Sequence, residues 1–552
     1  MARIQTERAE WWERVGLRVA ARSVTDVLDG MARRHPDKPY LADHTGARHT
    51  YGEMASAARR VASGLAELGV QRGDIVPLYM ENSADVVVSM FALAYLGAAG
   101  TPVNTGYQGE LLAYVFNDTG GSMAIVDDSL LDPFLAAAPS YDRLSGGTGV
   151  AVVRGAAESV SVPEMRTVAF SDVAASPALT DGVAARQSDV FMVNYTSGTT
   201  GPSKGVLFPN GHVLVFAEDW VRCMAFTEDD VLYTPMPLFH TLGMILGMIA
   251  TLIAGGSAYL DRRFSASRYF AKAEECGATV GHAVFSMIPF LLNREPSPGD
   301  RTHKMDRIWT GPSVYAAEFK ERFGVDIYEV YGISEAGVIS YPTDVTEVPP
   351  GSCGRPNTAR FEIALVDEED DPVPPGVVGE AIVRPHVSAT SMVGYLGKPD
   401  KTADAFRNLW FHTGDRLYAD EDGWLFFVDR AKDMIRRRSE NISAYDIELV
   451  LNRYPPIAES AVIAVPSAFE DDEVKACLVM RDDVEFDLAH FVEFCRSNLP
   501  KIMVPKYVEI LTELPKTANE KIAKYKLKEH GIAGPTGRTL DIDAYTKAIV
   551  EA

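Results

Sequence analysis

The sequence predicts an α/β fold on three observations. Short apolar runs alternate with segments whose apolar residues recur at helical spacing. Prolines and glycines break that alternation between Tyr341 and Gly354, and a fresh alternation begins after Val428-Asp429-Arg430. The first pattern implies a large N-terminal body of mostly parallel sheets covered by helices. It starts with helical spacing over 55–68, a short buried strand over 74–79, a second helix over 84–96, and a turn at Gly-Ala-Ala-Gly-Thr-Pro-Val-Asn, residues 97–104. Residues 231–260 carry no charge, and 242–258 are apolar over nearly a bilayer's thickness. Pro235, Pro237 and four glycines (243, 247, 255 and 256), with little basic bias in the flanks, read instead as a buried core helix. Residues 366–384, VDEEDDPVPPGVVGEAIVR, read as two strands around an acidic Pro/Gly turn. They mark a β-rich subdomain over about 345–429. A helix over 444–453 and a strand over 458–467 then open a small α+β domain. The expected domains are therefore 1–429 and 430–552.

The 552 residues are 47% hydrophobic and 23% charged, enough for a large core. Their net charge of −23 argues against broad electrostatic binding to nucleic acid or an anionic membrane, so any phosphate it binds requires a local site. Most of the acidic surplus lies before residue 430. The five cysteines are widely spaced without a metal-binding pattern and read as reduced thiols. The first residues mix acids and bases without the apolar run of a signal peptide, which predicts a cytoplasmic enzyme.

The chemistry concentrates in FMVNYTSGTTGPSKGV, residues 191–206. An apolar strand runs into Thr196, Ser197, Gly198, Thr199 and Thr200, and the segment ends on Lys204. Glycines let backbone N–H groups converge on an anion, hydroxyls add donors, and the lysine adds a point charge, which together make a phosphate cradle. The spacing is not that of a Walker A loop, because Gly201 stands three residues before Lys204 and Gly205 follows it.

This segment resembles the phosphate-binding signature of the adenylate-forming superfamily, which comprises acyl-CoA synthetases, carrier-loading adenylation domains and luciferases. Other motifs follow in family order, and the texture is closest to medium-chain and crotonobetaine or carnitine CoA ligases. Pro237-Leu-Phe-His240 resembles the aromatic motif between acyl pocket and nucleotide, making His240 a catalytic and acyl-pocket residue. Thr310-Gly311-Pro312-Ser313 resembles the turn that flanks adenine. Glu329-Val-Tyr331-Gly332-Ile-Ser334-Glu335 resembles the motif in which the tyrosine stacks on adenine and Glu335 carries magnesium, a hard cation that prefers oxygen ligands. Trp410-Phe-His-Thr-Gly-Asp415 resembles the motif whose aspartate accepts the ribose hydroxyls. Arg430 matches a ribose or phosphate contact, Lys432 the hinge of a mobile small domain, and Lys521 the catalytic lysine that bridges the carboxylate and the α-phosphate. Gly243, Met244, Phe285, Met287 and Gly337 are expected to line an apolar acyl pocket.

The resemblance implies ATP, Mg2+ and coenzyme A as cofactors and a small hydrophobic carboxylic acid, fatty, aryl or terpenoid, as substrate. It implies adenylation with release of pyrophosphate, then transfer to CoA as the small domain rotates. Handover to an acyl carrier protein or a partner enzyme is the alternative, and a homodimer is left open. No nucleic acid partner and no transmembrane segment are expected. Two places depart from the family pattern. Arg438-Ser439 replaces a glycine-rich pair beside the CoA passage, and Glu520 replaces the glycine before Lys521. A side chain where glycine gives clearance narrows that passage.

Overall fold

The computed structural model describes residues 23–145, 149–155, 162, 164–182, 185–196, 203–284, 287–310, 315–342, 348–430, 435–437, 440–442, 444–466, 472–481, 484–499, 501–516, 522–542 and 544. They form two compact units that interleave in sequence. One takes the chain up to Thr196, Ser203–Ile363 and Val383–Phe411, and the other takes Ser197–Pro202, Ala364–Ile382 and His412 onward.

Two seven-stranded sheets build the first unit. In one, the strands run in the order Met165–Ala169, Gly149–Arg154, Met123–Asp127, Ile75–Tyr79, Ala99–Pro102, Val190–Thr196, Lys204–Pro209. All neighbours are parallel except the last pair, an antiparallel hairpin. In the other, the order is Asp326–Tyr328, Arg307–Trp309, Val280–His282, Val231–Thr234, Ser257–Leu260, Pro39–Asp43, Arg48–Thr50, again parallel up to a final antiparallel pair. Parallel sheets need helices on their faces, and the sequence supplies them with clear ends. The helix Tyr51–Glu67 starts on a capping box of Thr50 and Glu53, and Ala84–Leu96 stops at Gly97 in the left-handed conformation. Every residue of Ala84–Leu96 except Asp85 is buried, which explains its apolar character all round.

The sequence places the helices and strands at 51–67, 75–79 and 84–96 well, but it reads 97–104 as a turn. The structure instead puts a buried parallel strand there, Ala99–Pro102. The uncharged stretch 231–260 resolves into the strand Val231–Thr234, a continuous helical run from Thr241 to Ala254 and the strand Ser257–Leu260. The middle of that run, Met244–Ile249, is π-helical and fully buried. No helix among the described residues is long and apolar enough to cross a membrane.

The helix Asn210–Cys223 is the spine of this unit, and it buries Glu218 and Asp219. Burial of two carboxylates is costly unless they are paired. Arg360 meets both, at 2.9 Å to Glu218 and 2.9 Å to Asp219, while Asn357 donates to Asp219 at 2.9 Å.

The second unit is smaller. A four-stranded sheet, Ile457–Pro466, Asp472–Met480, Tyr507–Leu511 and Thr539–Asp541, packs Val462, Val474 and Leu478 against Ile447, Leu451 and Phe491 of the helices Ala444–Leu451 and Leu488–Asn498. Its core encloses the ion pair Lys475–Glu509 at 2.8 Å, with both side chains fully buried. The acidic turn after Val366 separates the strands Phe361–Val366 and Gly379–Pro385, as its Pro/Gly content predicts. The cysteines are free thiols, four of them buried.

Candidate active site

The strands Val190–Thr196 and Lys204–Pro209 pair antiparallel and set Thr196 opposite Lys204, the two ends of the segment expected to hold phosphate. Ser197, Gly198, Thr199 and Thr200 lie outside the described residues, and Tyr195 and Ser203 on either side are each held by side-chain contacts. Tyr195 donates to Asp118 at 2.7 Å, and Lys398 bonds the other oxygen of that carboxylate at 2.9 Å. On the far side Tyr114 donates to the Ser203 carbonyl at 2.8 Å, and the Tyr107 hydroxyl lies 3.4 Å from the Ser203 hydroxyl. Burial and the neighbouring Asp118 carboxylate both raise the Tyr195 phenol well above its ordinary value, so it remains a donor.

His240 follows the prolines at 235 and 237, and two buried asparagines fix its approach. Asn82 donates to Met236 and accepts from the Leu238 N–H, while Asn194 donates to the Phe239 carbonyl at 2.7 Å. His240 then caps the helix it begins, with Nδ1 accepting from the Leu242 N–H at 3.1 Å. That bond leaves the Nε2 position to carry the ring proton in the neutral form. A Cβ at Gly243 would overlap the Pro237 carbonyl oxygen, so the turn and the helix approach each other only because residue 243 has no side chain. Met244 is fully buried at the start of the π segment, an element that recurs at functional sites. Met287 packs with the cluster of Tyr233, Tyr269 and Ile288.

Residues 331–341 form an antiparallel hairpin, with Ile333 opposite Gly337 and Tyr331 opposite Ser340. Ser334 and Glu335 are thus at its turn, with Gly332 and Gly337 flanking them and Glu329 just before it. Two contacts from distant segments hold the turn. The His212 ring, stacked between Phe208 and Phe216, donates from Nε2 to the Ser334 carbonyl at 2.8 Å. Burial lowers its pKa to about 4, so it is neutral at physiological pH. From the other side, the Met392 N–H donates to the Glu335 carbonyl at 2.8 Å, and the Tyr395 phenol donates to the Glu335 carboxylate at 3.0 Å. The ring of the same tyrosine lies under Lys204, whose Nζ is 4.6 Å from its centroid. Burial first, and the Glu335 carboxylate second, raise the Tyr395 phenol above its ordinary value.

The structure thus joins Thr196 to Lys204, and Lys204 to Glu335 through Tyr395. The sequence reading did not single out Tyr395, His212, Asn82 or Asn194. In the second unit, Asp415 is buried in the strand Trp410–Ala419 and is the register partner of Arg430 in Leu425–Arg430. Its N–H donates to the Thr413 hydroxyl at 3.1 Å, and Glu380 accepts from the Gly414 N–H at 2.9 Å. The predicted residues Gly311, Pro312, Ser313, Phe285, Lys432, Arg438, Ser439 and Lys521 lie outside the described residues, as does the side chain of Arg430. Among the described residues, no three His, Cys, Asp or Glu side chains gather as a metal cluster.

Comparison with known proteins gives the family and the fold. Residues 28–396 match the AMP-binding enzyme family, and residues 446–521 match the AMP-binding enzyme C-terminal domain. The chain is similar to the crotonobetaine/carnitine–CoA ligase of Salmonella paratyphi A, at 29% identity over 92% of this chain and 99% of the relative. The Salmonella arizonae counterpart is 30% identical over the same shares. Among solved structures, ATP-bound MatB from Rhodopseudomonas palustris superposes with a TM-score of 0.80 at 26% identity, over 94% of this chain and all of that one. The fold is also that of the anthranilate CoA ligase AuaEII in complex with anthranoyl-AMP, with a TM-score of 0.84 at 24% identity over 92% of this chain and 97% of that one. The chain belongs to the AMP-binding enzyme family: it is an adenylate-forming enzyme whose relatives and structural neighbours are CoA ligases.

Proposed function

We propose that the protein activates a hydrophobic carboxylic acid with ATP and transfers the acyl group to coenzyme A, as an AMP-forming acid–thiol ligase. The observation that carries this reading is the pairing of Thr196 with Lys204 and the link from Lys204 through Tyr395 to the Glu335 carboxylate. It supports a site in which a cation and a carboxylate flank the segment that would hold phosphate.

A carboxylate is a poor acyl donor because its leaving group would be oxide. Attack of a carboxylate oxygen on the α-phosphorus of ATP forms an acyl-adenylate and expels pyrophosphate, and AMP then leaves readily when the CoA thiol attacks the acyl carbon. Lys204 and the hydroxyls and N–H groups of residues 196–200 hold the β and γ phosphates. Tyr331 with the 311–313 turn receives the adenine, Asp415 accepts from the ribose hydroxyls, and Arg430 reaches the ribose or phosphate. Lys521 neutralises the charge that builds at the α-phosphate, a donor worth roughly 3–4 kcal/mol in comparable sites. His240 stands at the entrance of the acyl pocket.

The donor set suits Mg2+, because one hard carboxylate, Glu335, leaves the remaining positions to phosphate oxygens and water. Such an ion would draw charge from the leaving pyrophosphate. Transfer to a carrier protein is not favoured, since the relatives are CoA ligases.

The test is a panel of fatty, aryl, carnitine-like and terpenoid acids assayed with ATP and CoA for AMP, pyrophosphate and thioester. The reading predicts AMP and thioester in equal amounts, dependent on one acid class. AMP without thioester would restore the carrier alternative, and no acid-dependent AMP across the panel would overturn the reading.

A further inference from the structure

We propose that Tyr395 is the positioning residue of the phosphate site, setting Lys204 with its ring and Glu335 with its phenol. The inference rests on the function proposed above and assigns a residue outside every motif from which that function was read.

The backbone shows which partner is the holder. Residues 393–396 run beside the strand Lys204–Pro209. The Val393 N–H donates to the Leu207 carbonyl at 3.1 Å, the Leu207 N–H to Gly394 at 3.0 Å, and the Leu396 N–H to Gly205 at 2.8 Å. Tyr395 itself bridges to Val206, and its N–H donates to the Thr402 hydroxyl at 3.0 Å. Its main chain is therefore fixed on both sides by bonds that involve neither Lys204 nor Glu335. Its side chain is buried and has only two torsions to order. Lys204 and Glu335 are the opposite case, since lysine and glutamate side chains lose much rotamer freedom when held. One rigid aromatic group thus orders two flexible charged ones before a ligand arrives, which lowers the cost of binding.

The two functions of the ring separate chemically. The face of the ring attracts an ammonium through its quadrupole, and phenylalanine retains that property. The hydroxyl is a donor to an ionised acceptor, which is among the stronger hydrogen bonds, and phenylalanine lacks it. Tyr395→Phe therefore frees only the carboxylate arm, and Tyr395→Leu frees both arms.

The experiment is calorimetric ATP binding to the full chain, in EDTA and across an Mg2+ series. It compares wild type, Tyr395→Phe, Tyr395→Leu, Glu335→Gln and the Tyr395→Phe/Glu335→Gln double variant, with thermal unfolding as the check on folding. The expected result is that Tyr395→Phe binds metal-free ATP as wild type does but needs roughly tenfold more Mg2+ for half-maximal tightening. Tyr395→Leu also weakens metal-free ATP, by roughly tenfold. The double variant matches Glu335→Gln alone, because the phenol acts through that carboxylate.

Three results overturn the inference. They are an unchanged Mg2+ dependence in Tyr395→Phe while wild type forms AMP, an equal loss with and without Mg2+, and full additivity in the double variant. A wild type that binds no ATP under any condition overturns the proposed function, and this inference with it.

Discussion

Arg360 and Lys204 are both cations set near carboxylates in the same unit, yet they are held in different ways. Arg360 contacts Glu218 and Asp219 directly at 2.9 Å, and all three side chains are almost fully buried. Lys204 is linked to Glu335 through an aromatic ring, 4.6 Å from its centroid, and the carboxylate sits at a hairpin turn. A direct buried pair spends its charge on itself and fixes the helix Asn210–Cys223 to the Asn357–Arg360 segment. A ring-mediated link orders both groups without pairing them directly to each other. The difference teaches that proximity of opposite charge does not by itself separate a structural cation from a functional one. What lies between the charges does.

The comparison can be broken most severely at Arg360. Arg360→Met leaves two carboxylates buried without their cation and is expected to cost about 3–5 kcal/mol in urea unfolding. A loss under about 1 kcal/mol would mean that the pair is not the anchor described here.

A third arrangement in the same unit, the buried neutral imidazole, gives a pH signature. Burial lowers His212 to about 4 and His282 to about 3, against an ordinary value of 6.5. The unfolded chain takes up these protons below pH 6.5 and the folded chain does not, so stability is full above 6.5. It falls as the pH drops toward 4, by about 3 kcal/mol for each histidine. His282→Phe should remove one proton's share of that slope, about 1.4 kcal/mol per pH unit. An unchanged slope would show that His282 protonates in the folded state.

Lys204→Met probes the other end of the comparison. Pyrophosphate release should fall on the order of a hundredfold, while stability changes by less than about 1 kcal/mol. A stability loss like that of Arg360→Met would erase the distinction. The smallest effect is expected at Ser439→Gly, which should speed thioester formation by roughly threefold if the side chain crowds the CoA passage, with adenylation unchanged. Equal rates in the two proteins would remove Ser439 from the account of that passage.

The legible part of the site is the part that is local in the chain. The hairpin turn at Ser334 and Glu335 is carried by seven consecutive residues, and Thr196 and Lys204 flank one loop. Their chemistry and spacing survive in a linear reading. Tyr395 lies about 60 residues from Glu335 and nearly 200 from Lys204, as a single aromatic after Gly394 with no periodicity around it. Only the pairing of 393–396 with the strand Lys204–Pro209 brings it into the site. His212 falls in the Phe208, His212, Phe216 stripe and reads as core packing until its bond to Ser334 is seen.

The fold shows the same division. Helices with caps and apolar spacing were evident, but the strand Ala99–Pro102 was hidden by its glycine and proline. Those residues disfavour strands in isolation. Here tertiary packing decides, because a Cβ at Gly100 would overlap the Met90 sulfur of the neighbouring helix. The glycine that looks like a turn signal is what lets the helix lie against the strand.

The central claim is that the ordered pair of Lys204 and Glu335 serves adenylation of a carboxylic acid. A rapid-quench reaction with an accepted acid and ATP labelled in the α-phosphate tests it most directly, with CoA withheld and then added. The account predicts label in an enzyme-bound acyl-adenylate before CoA and its release as AMP, with stoichiometric thioester, once CoA arrives. Label that passes into ADP, or thioester that forms without an adenylate preceding it, would contradict the account.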